Sequence, residues 1–233
     1  MSGNGQLAIV TGASSGIGSA IARQLQDRGW RVAGLDLCPS ASLDASFVVD
    51  MTDEAAVNEA VAATRLKFGA IDAAISVAGH YEMIPFGDIS AQRWDRMLRV
   101  HLGGLLNLSR AVLPEMRKNR SGSIVGIVSE LAVGGGSHDA HYAAAKGALL
   151  GFIRSLAAEV AGDGVRVNGV APGPTDTPLL PADSPWRAAQ YLQTLPIGRL
   201  VTPSEVALCV AWLIEQGSFC VGEILNPNAG AVI

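Results

Sequence analysis

The sequence predicts an α/β fold in one domain, a doubly wound parallel sheet with helices on its faces. Three observations carry this expectation. Short apolar runs alternate along the chain with longer helical patterns, and such an alternation needs crossover helices between parallel strands. The first junction is a glycine loop, Thr11-Gly-Ala-Ser-Ser-Gly-Ile-Gly18, set directly between an apolar run and a helical one. The chain has 233 residues, 49% hydrophobic and only 16% charged, which suits one large, well-buried core over residues 1–233 and makes a second domain unnecessary.

Residues 7–10 form the first apolar strand, and the helix after the loop, marked by Ile21, Ala22 and Leu25, stops at Gly29. Glycines let a backbone approach a pyrophosphate closely, and the N–H groups of the following helix N-terminus stabilise its charge. A tight turn without a ligand is the other reading of a lone glycine triplet. Residues 31–36 are the second strand, ending in Asp36 eighteen positions after Gly18, near the spacing of a ribose-binding carboxylate. Asp36 would accept from the adenosine ribose hydroxyls and repel a 2′-phosphate, for which neither Ser15 nor Leu37 supplies a cation. NAD is therefore expected over NADP.

Residues 46–50 read as a third strand, with Asp50 facing the adenine, and Thr52, Asp53 and Glu54 open a helix that runs to about Phe68. A fourth strand over 71–77 breaks at Ala78-Gly79, a second place for close backbone approach. Ser90 is the N-cap of a long helix reaching about Asn119 despite Pro114, with Trp94 and the leucines that follow it in the core. Residues 123–128 are the fifth strand and deliver Ser129 to its carboxyl end, the edge that carries ligands in open parallel sheets. The next helix ends near Gly162, and its Ala145, Gly147 and Gly151 would admit a second helix from another subunit. Residues 165–170 are the sixth strand, broken by Ala171-Pro-Gly-Pro174. A Pro-rich stretch over 175–199, with a short helix around 187–192, is long enough to act as a lid. A helix over 204–215 and a strand over 223–225 complete the order.

Tyr142 and Lys146 stand four apart in an alanine-rich helical run, so the phenol and the ammonium share one face. A tyrosine titrating near pH ~10 is a poor acid or base at neutrality, and a neighbouring cation moves it toward the working range that general acid/base catalysis requires. Taken alone, such a pair is more often a surface tyrosine and lysine at a chance spacing.

Composition closes off other classes. The net charge of −4 and the absence of a Lys/Arg cluster give no footprint for nucleic acid or an anionic membrane. No signal peptide or membrane span is read at the N-terminus, and a cytoplasmic protein is expected. Cys38, Cys209 and Cys220 lack metal-ligand spacing, and neither they nor the histidines imply a metal site.

The motifs together resemble the short-chain dehydrogenase/reductase family over nearly the whole chain. The resemblance rests on the Thr11–Gly18 loop, Asp36, Asp50, Ala78-Gly79, Ser129, Tyr142-x-x-x-Lys146, Asn168 and Pro172-Gly173, with Ser129 thirteen residues before Tyr142. It implies a Rossmann sheet of about seven parallel strands and hydride transfer between a nicotinamide and a carbonyl or carbinol carbon. It assigns Tyr142 as acid/base, Ser129 as the hydrogen-bonding partner of the substrate oxygen, and Lys146 as ligand of the nicotinamide ribose and stabiliser of the tyrosinate. The implied cofactor set is Gly12, Ser14, Ser15, Gly16, Ile17, Gly18, Asp36, Asp50, Met51, Ala78, Gly79, Tyr142, Lys146, Pro172, Gly173, Thr175 and Thr177, with Asn168 structural. A tetramer or dimer is the implied assembly.

Three departures stand out. Ser76-Val77 replaces the family's usual Asn-Asn before Ala-Gly, and Asn228-Ala-Gly230 replaces Asp-Gly-Gly. His101 occupies the place of the tetrad asparagine, which in relatives helps hold a water linking the lysine to solvent. His101 is expected to preserve that relay and, titrating near pH ~6.5, even to join it. Its alternative role is to fill space in the helix.

The substrate side is expected to draw on His80, Tyr81, Glu130, Leu131, His138, His141, Leu179, Leu180 and Trp186. The leading function is an NAD-dependent oxidoreductase of secondary alcohols or ketones, a diol included. The alternative is a dinucleotide-binding redox sensor or interaction module, since fold alone does not separate the two.

Overall fold

The computed structural model describes residues 5–232. Seven parallel strands form one sheet in the order β3-β2-β1-β4-β5-β6-β7. The strands are β1 (Leu7–Thr11), β2 (Arg31–Asp36), β3 (Ala45–Val48), β4 (Ala73–Ser76), β5 (Gly122–Ile127), β6 (Val165–Val170) and β7 (Ile224–Leu225). The helices are α1 (Gly16–Gln26), α2 (Glu54–Phe68), α3 (Ala91–Leu98), α4 (Gly104–Asn119), α5 (Leu131–Gly134), α6 (Ala140–Val160), α7 (Ala189–Leu192) and α8 (Pro203–Glu215).

Central strands are apolar on both faces because both are covered, as parallel sheets require. On one face α2, α4 and α6 pack Val57, Leu105, Leu108, Leu149 and Ile153 onto Ile9, Ala33 and Ile124. On the other, α1 and α8 pack Ile21, Leu25, Val206 and Val210 onto Ala8, Val10 and Ile75. The order reverses between β1 and β4, where chain crossovers leave on opposite sides and a crevice opens at the carboxyl ends.

Several elements differ from the sequence expectation for identifiable reasons. The edge strand β3 ends at Val48, so Asp50 lies in a turn in which its Oδ1 accepts from Thr52 N at 2.9 Å. Strand β4 ends at Ser76 because the N–H groups of Val77 and Ala78 donate to the Thr11 hydroxyl, at 2.9 and 3.0 Å. The long helix begins after Ser90, which accepts from Arg93 N, but it is not continuous. A π-helical turn, Arg99–Gly103, separates α3 from α4 and contains His101. In α6, Ala145 faces inward against Met97 and Tyr142, so the small-residue face expected to meet another subunit is interrupted there, leaving Gly151 in the open.

Candidate active site

The site is a cleft of about 830 Å³ along the carboxyl edge of the sheet. The glycine loop forms one wall. A Cβ on Gly18 would run into the Gly12 carbonyl, and one on Gly12 would sit 3.0 Å from the Ala78 backbone, so neither position tolerates a side chain. Ser15 precedes α1 without capping it, which leaves the first-turn N–H groups of an eleven-residue helix directed at the cleft. This bare backbone cradle on a helix N-terminus fits a pyrophosphate.

Asp36 anchors the loop. Its Oδ2 accepts from the Ser14 N–H at 2.9 Å and the Ser14 hydroxyl at 2.6 Å, and its Oδ1 accepts from Cys38 N. Ser14 itself does not line the cleft, and it is the one residue of the expected cofactor set that does not. Gly12, Ser15, Gly16, Ile17, Gly18, Asp36, Asp50, Met51, Ala78, Gly79, Tyr142, Lys146, Pro172, Gly173, Thr175 and Thr177 all do.

Ser129, Tyr142, Lys146 and His101 line the same cleft. Ser129 follows β5, while Tyr142 and Lys146 lie in the first two turns of α6, which packs on β6. Lys146 Nζ donates to the Ile127 carbonyl at 2.6 Å and lies 5.7 Å from the Tyr142 ring centroid. Burial pulls this ammonium down to about 7, the nearby Glu130 opposing. Burial, with Glu130 adding to it, pushes the Tyr142 phenol above its ordinary value, by more than the neighbouring Ser129 hydroxyl lowers it. In the unliganded cleft the phenol is thus not lowered as its spacing to Lys146 leads one to expect, because desolvation of the phenolate is the largest perturbation.

His101 is 3% exposed and its Nε2 is 2.9 Å from the His80 carbonyl, an acceptor only, so that nitrogen carries the proton. Its ring stands edge-on to Tyr142 at 5.4 Å and stacks on His80 at 5.6 Å. Burial first, and the Lys146 ammonium second, hold its pKa well below the ordinary value. Burial thus favours the neutral imidazole, which argues against His101 joining the relay as a titrating group.

Of the expected substrate-side residues, His80, Tyr81, Glu130, Leu131, Leu179, Leu180 and Trp186 line the cleft, whereas His138 and His141 do not. His138 is exposed with φ 67°, and His141 is buried behind the site against Trp94. Asn168 is also outside the cleft, its side chain bonding Cys220 O and Glu223 N and so tying β6 to the approach of β7.

Other residues were not anticipated. Asp139 is buried immediately before α6 and accepts from the Tyr81 hydroxyl at 2.7 Å; that hydroxyl accepts from Trp186 Nε1 at 2.9 Å. The chain segment over 175–199 is thereby fastened to both the β4 exit and the catalytic helix. Asp139 stands at the N-cap position of α6, yet its side chain makes no capping bond. Arg96 and Arg99 of α3 and the π turn also line the cleft. They carry no motif, and only the fold brings them to it. Glu130 accepts from the Ser129 hydroxyl at 2.8 Å, and burial pushes its carboxyl up to about 7.

Comparison with known proteins places these features in context. The family model described as enoyl-(acyl carrier protein) reductase matches residues 12–231. The chain is 36% identical over 240 residues to the 3-oxoacyl-[acyl-carrier-protein] reductase of Salmonella typhimurium, covering 99% of this chain and 98% of that one. It is 37% identical over 241 residues to the cis-4-hydroxycyclohexanecarboxylate dehydrogenase of Sinomonas cyclohexanicum, covering 97% and 96%. The crystal structure of 3-ketoacyl-(acyl-carrier-protein) reductase from Brucella melitensis complexed with NADH superposes with a TM-score of 0.91 at 26% identity, over 99% of each chain.

Proposed function

The chain belongs to the short-chain dehydrogenase/reductase family of oxidoreductases, and on that premise we propose that it interconverts a secondary alcohol, a diol included, and its ketone with NAD(H). The observation that carries the proposal is the meeting of Ser129, Tyr142 and Lys146 at one end of a cleft whose other end is the glycine cradle. A binding module would use the cradle and the lysine, but would have no use for a buried serine hydroxyl beside a buried phenol.

When bound, the dinucleotide supplies or takes the hydride. The chain does the rest. The glycine loop and the α1 N-terminus hold the pyrophosphate, Asp36 the adenosine ribose, and Lys146 the nicotinamide ribose. Tyr142 gives its phenolic proton to the carbonyl oxygen in reduction and recovers it from the alcohol in oxidation. Ser129 hydrogen-bonds the same oxygen. His101 acts as a positioning residue: its neutral ring packs edge-on against Tyr142 and fixes the phenol's place.

NAD over NADP follows from the adenosine end of the cleft. From Asp36 to Thr52 the chain contains no Lys or Arg, and its two residues of formal charge that line the cleft, Asp36 and Asp50, are acids. A 2′-phosphate there meets like charge. The Brucella melitensis relative was crystallised with NADH, which a cleft of this fold thus admits. The substrate end mixes His80, Tyr81 and Glu130 with Leu131, Leu179, Leu180 and Trp186, which suits a compact substrate with a polar reacting end. The resemblance further supports a homo-oligomer, tetramer or dimer, and the unpaired cysteines a cytoplasmic setting. Light scattering on the purified protein tests the assembly.

The deciding experiment is nicotinamide absorbance with NADH and NADPH against a panel of ketones, and with NAD and NADP against secondary alcohols and diols, with Tyr142→Phe alongside. NAD-dependent turnover lost in the variant is expected. Turnover that survives Tyr142→Phe removes the role given to the phenol, and tight NADH binding without turnover on any substrate favours the binding module.

A further inference from the structure

We propose that Glu130 is a positioning residue whose proton decides whether the Ser129 hydroxyl is available to the substrate oxygen. The inference rests on the role of Ser129 proposed above.

The argument is a proton inventory. A serine hydroxyl has one proton to give and two lone pairs to receive. The Leu131 N–H, 3.2 Å away, takes one lone pair of Ser129 Oγ, and Glu130 Oε2 stands 2.8 Å from the same atom. Both side chains are buried, at 6% and 7% exposure. An ionised carboxylate only accepts, so it takes the single serine proton. A substrate carbonyl also only accepts, and then finds no donor at Ser129. With a proton on Glu130 the bond reverses: the acid donates to the second lone pair of Oγ, Leu131 keeps the first, and the serine proton is free for the substrate oxygen. The chain Glu130 to Ser129 to substrate then runs in one direction.

The groups around Glu130 are consistent with a proton held near neutrality. Asp139, just before α6, is a negative neighbour and raises it; Tyr142 and Lys146 of α6 and Tyr191 of α7 are the other titratable groups coupled to it. Burial is the largest cause, outweighing the Ser129 hydroxyl and the local N–H groups that favour the anion. Because Lys146 titrates in the same range, pH dependence alone does not identify the group, and the test removes Ser129 as well.

The reduction rate is compared between about pH 6 and 9 for the wild type, Glu130→Gln, Ser129→Ala and the double variant. Above the Glu130 midpoint near 7 the wild type falls, and Glu130→Gln, which has no carboxylate, is expected to exceed it by about tenfold one pH unit higher. In the Ser129→Ala background that advantage is expected to vanish, whereas any effect of Glu130 exerted through Lys146 or Tyr142 would persist. An advantage equal in both backgrounds, or no advantage at all, overturns the proposal.

A second readout needs no turnover. Infrared titration of the unliganded protein should show a protonated-carboxyl C=O band that disappears through neutrality and is absent in Glu130→Gln. The band should move to higher frequency in Ser129→Ala, where the acid loses its acceptor. Absence of the band below neutrality, or no shift on removing the hydroxyl, overturns the inference. Survival of turnover in Tyr142→Phe would sink the oxidoreductase chemistry assigned above, and leaves the infrared result to decide the serine–glutamate bond separately.

Discussion

Gly79→Ala should damage the site through one contact, the imidazole of His101. A Cβ added at Gly79 would collide with His101 Cε1 and lie 2.8 Å from Nδ1 and 3.3 Å from Nε2. Gly79 is not among the glycines with positive φ, so the alanine backbone is unstrained and the cost is steric. The ring has little room to retreat. Its Nε2–H is held by the His80 carbonyl, one face lies on His80, and its edge meets Tyr142. Overpacking of this kind costs about 1–3 kcal/mol. If the ring gives way toward Tyr142 by a large fraction of an ångström, a loss of up to about 100-fold in kcat/KM follows. The assay is a double-mutant cycle with His101→Asn, read by urea unfolding and by kcat/KM. Because asparagine is shorter, Gly79→Ala should be close to neutral in that background, giving a coupling energy of about 1–3 kcal/mol. Additivity within about 0.5 kcal/mol would show that the two residues do not press on each other and would refute the reasoning.

Asp36→Asn removes the like charge that a 2′-phosphate would meet. At about 4 Å that charge is worth roughly 1–4 kcal/mol, so the NADP(H)/NAD(H) ratio of kcat/KM should rise about fivefold or more; an unchanged ratio would place the discrimination elsewhere. Trp186→Phe keeps an aromatic side chain but deletes the indole N–H donation to Tyr81. One hydrogen bond of about 1 kcal/mol predicts a KM increase near fivefold with kcat little changed, and an unaltered KM would mean the 175–199 segment is held by other contacts. Stability of the unliganded protein should follow two opposed titrations. Glu130 is raised from 4.5 to about 7, so the folded chain binds the extra proton and this group's contribution falls as pH rises across that window. Lys146 is lowered from 10.5 to about 7, so the unfolded chain binds the extra proton and stability rises with pH from about 7 toward 10. Thermal melts should show Glu130→Gln flattening the first slope and Lys146→Met the second; slopes retained in these variants would assign them to other groups.

Strands β2 and β6 have the bounds expected from sequence, because an apolar run closed by a charge or a Pro-Gly break is a local signal. The arrangement of Ser129 with Tyr142 and Lys146 was legible for the same reason: each lies within a few residues of a strand end or on one helix face. What escaped depends on contacts across the sheet. The π turn at Arg99–Gly103 leaves the leucine spacing undisturbed, and nothing in the local sequence marks it. The early end of β4 depends on Thr11, more than sixty residues away. The burial that favours a neutral His101 comes from the turn after β4 and from α6, which spacing does not reveal. The bond between Ser129 and Glu130 joins sequence neighbours, yet its meaning comes from the burial that holds a carboxyl near neutrality.

The buried side-chain polar atoms without a protein partner fall into two sets, one scattered through the scaffold at Arg28 Nε, Arg31 Nε, Ser109 Oγ and Ser123 Oγ and one gathered at the site. Other structural polar residues are paired: Thr11 receives two N–H groups, Asp72 receives Leu7 N, and Asn168 uses both ends of its amide. Around Tyr142, by contrast, His101 Nδ1, Asp139 Oδ2 and both ring nitrogens of His141 are buried without a protein partner. Each such atom costs about 1–3 kcal/mol if it stays unpaired, and folded proteins keep few of them. Their collection at the amino end of α6, behind and beside the phenol, is where a polar ligand or an ordered water would recover the most energy. The exchange of the family's asparagine for His101 adds one of these atoms, and Gly79, with no Cβ, supplies the space for the ring that bears it. The substitution is therefore a paired feature, and its functional reading stands or falls with the coupling between those two positions.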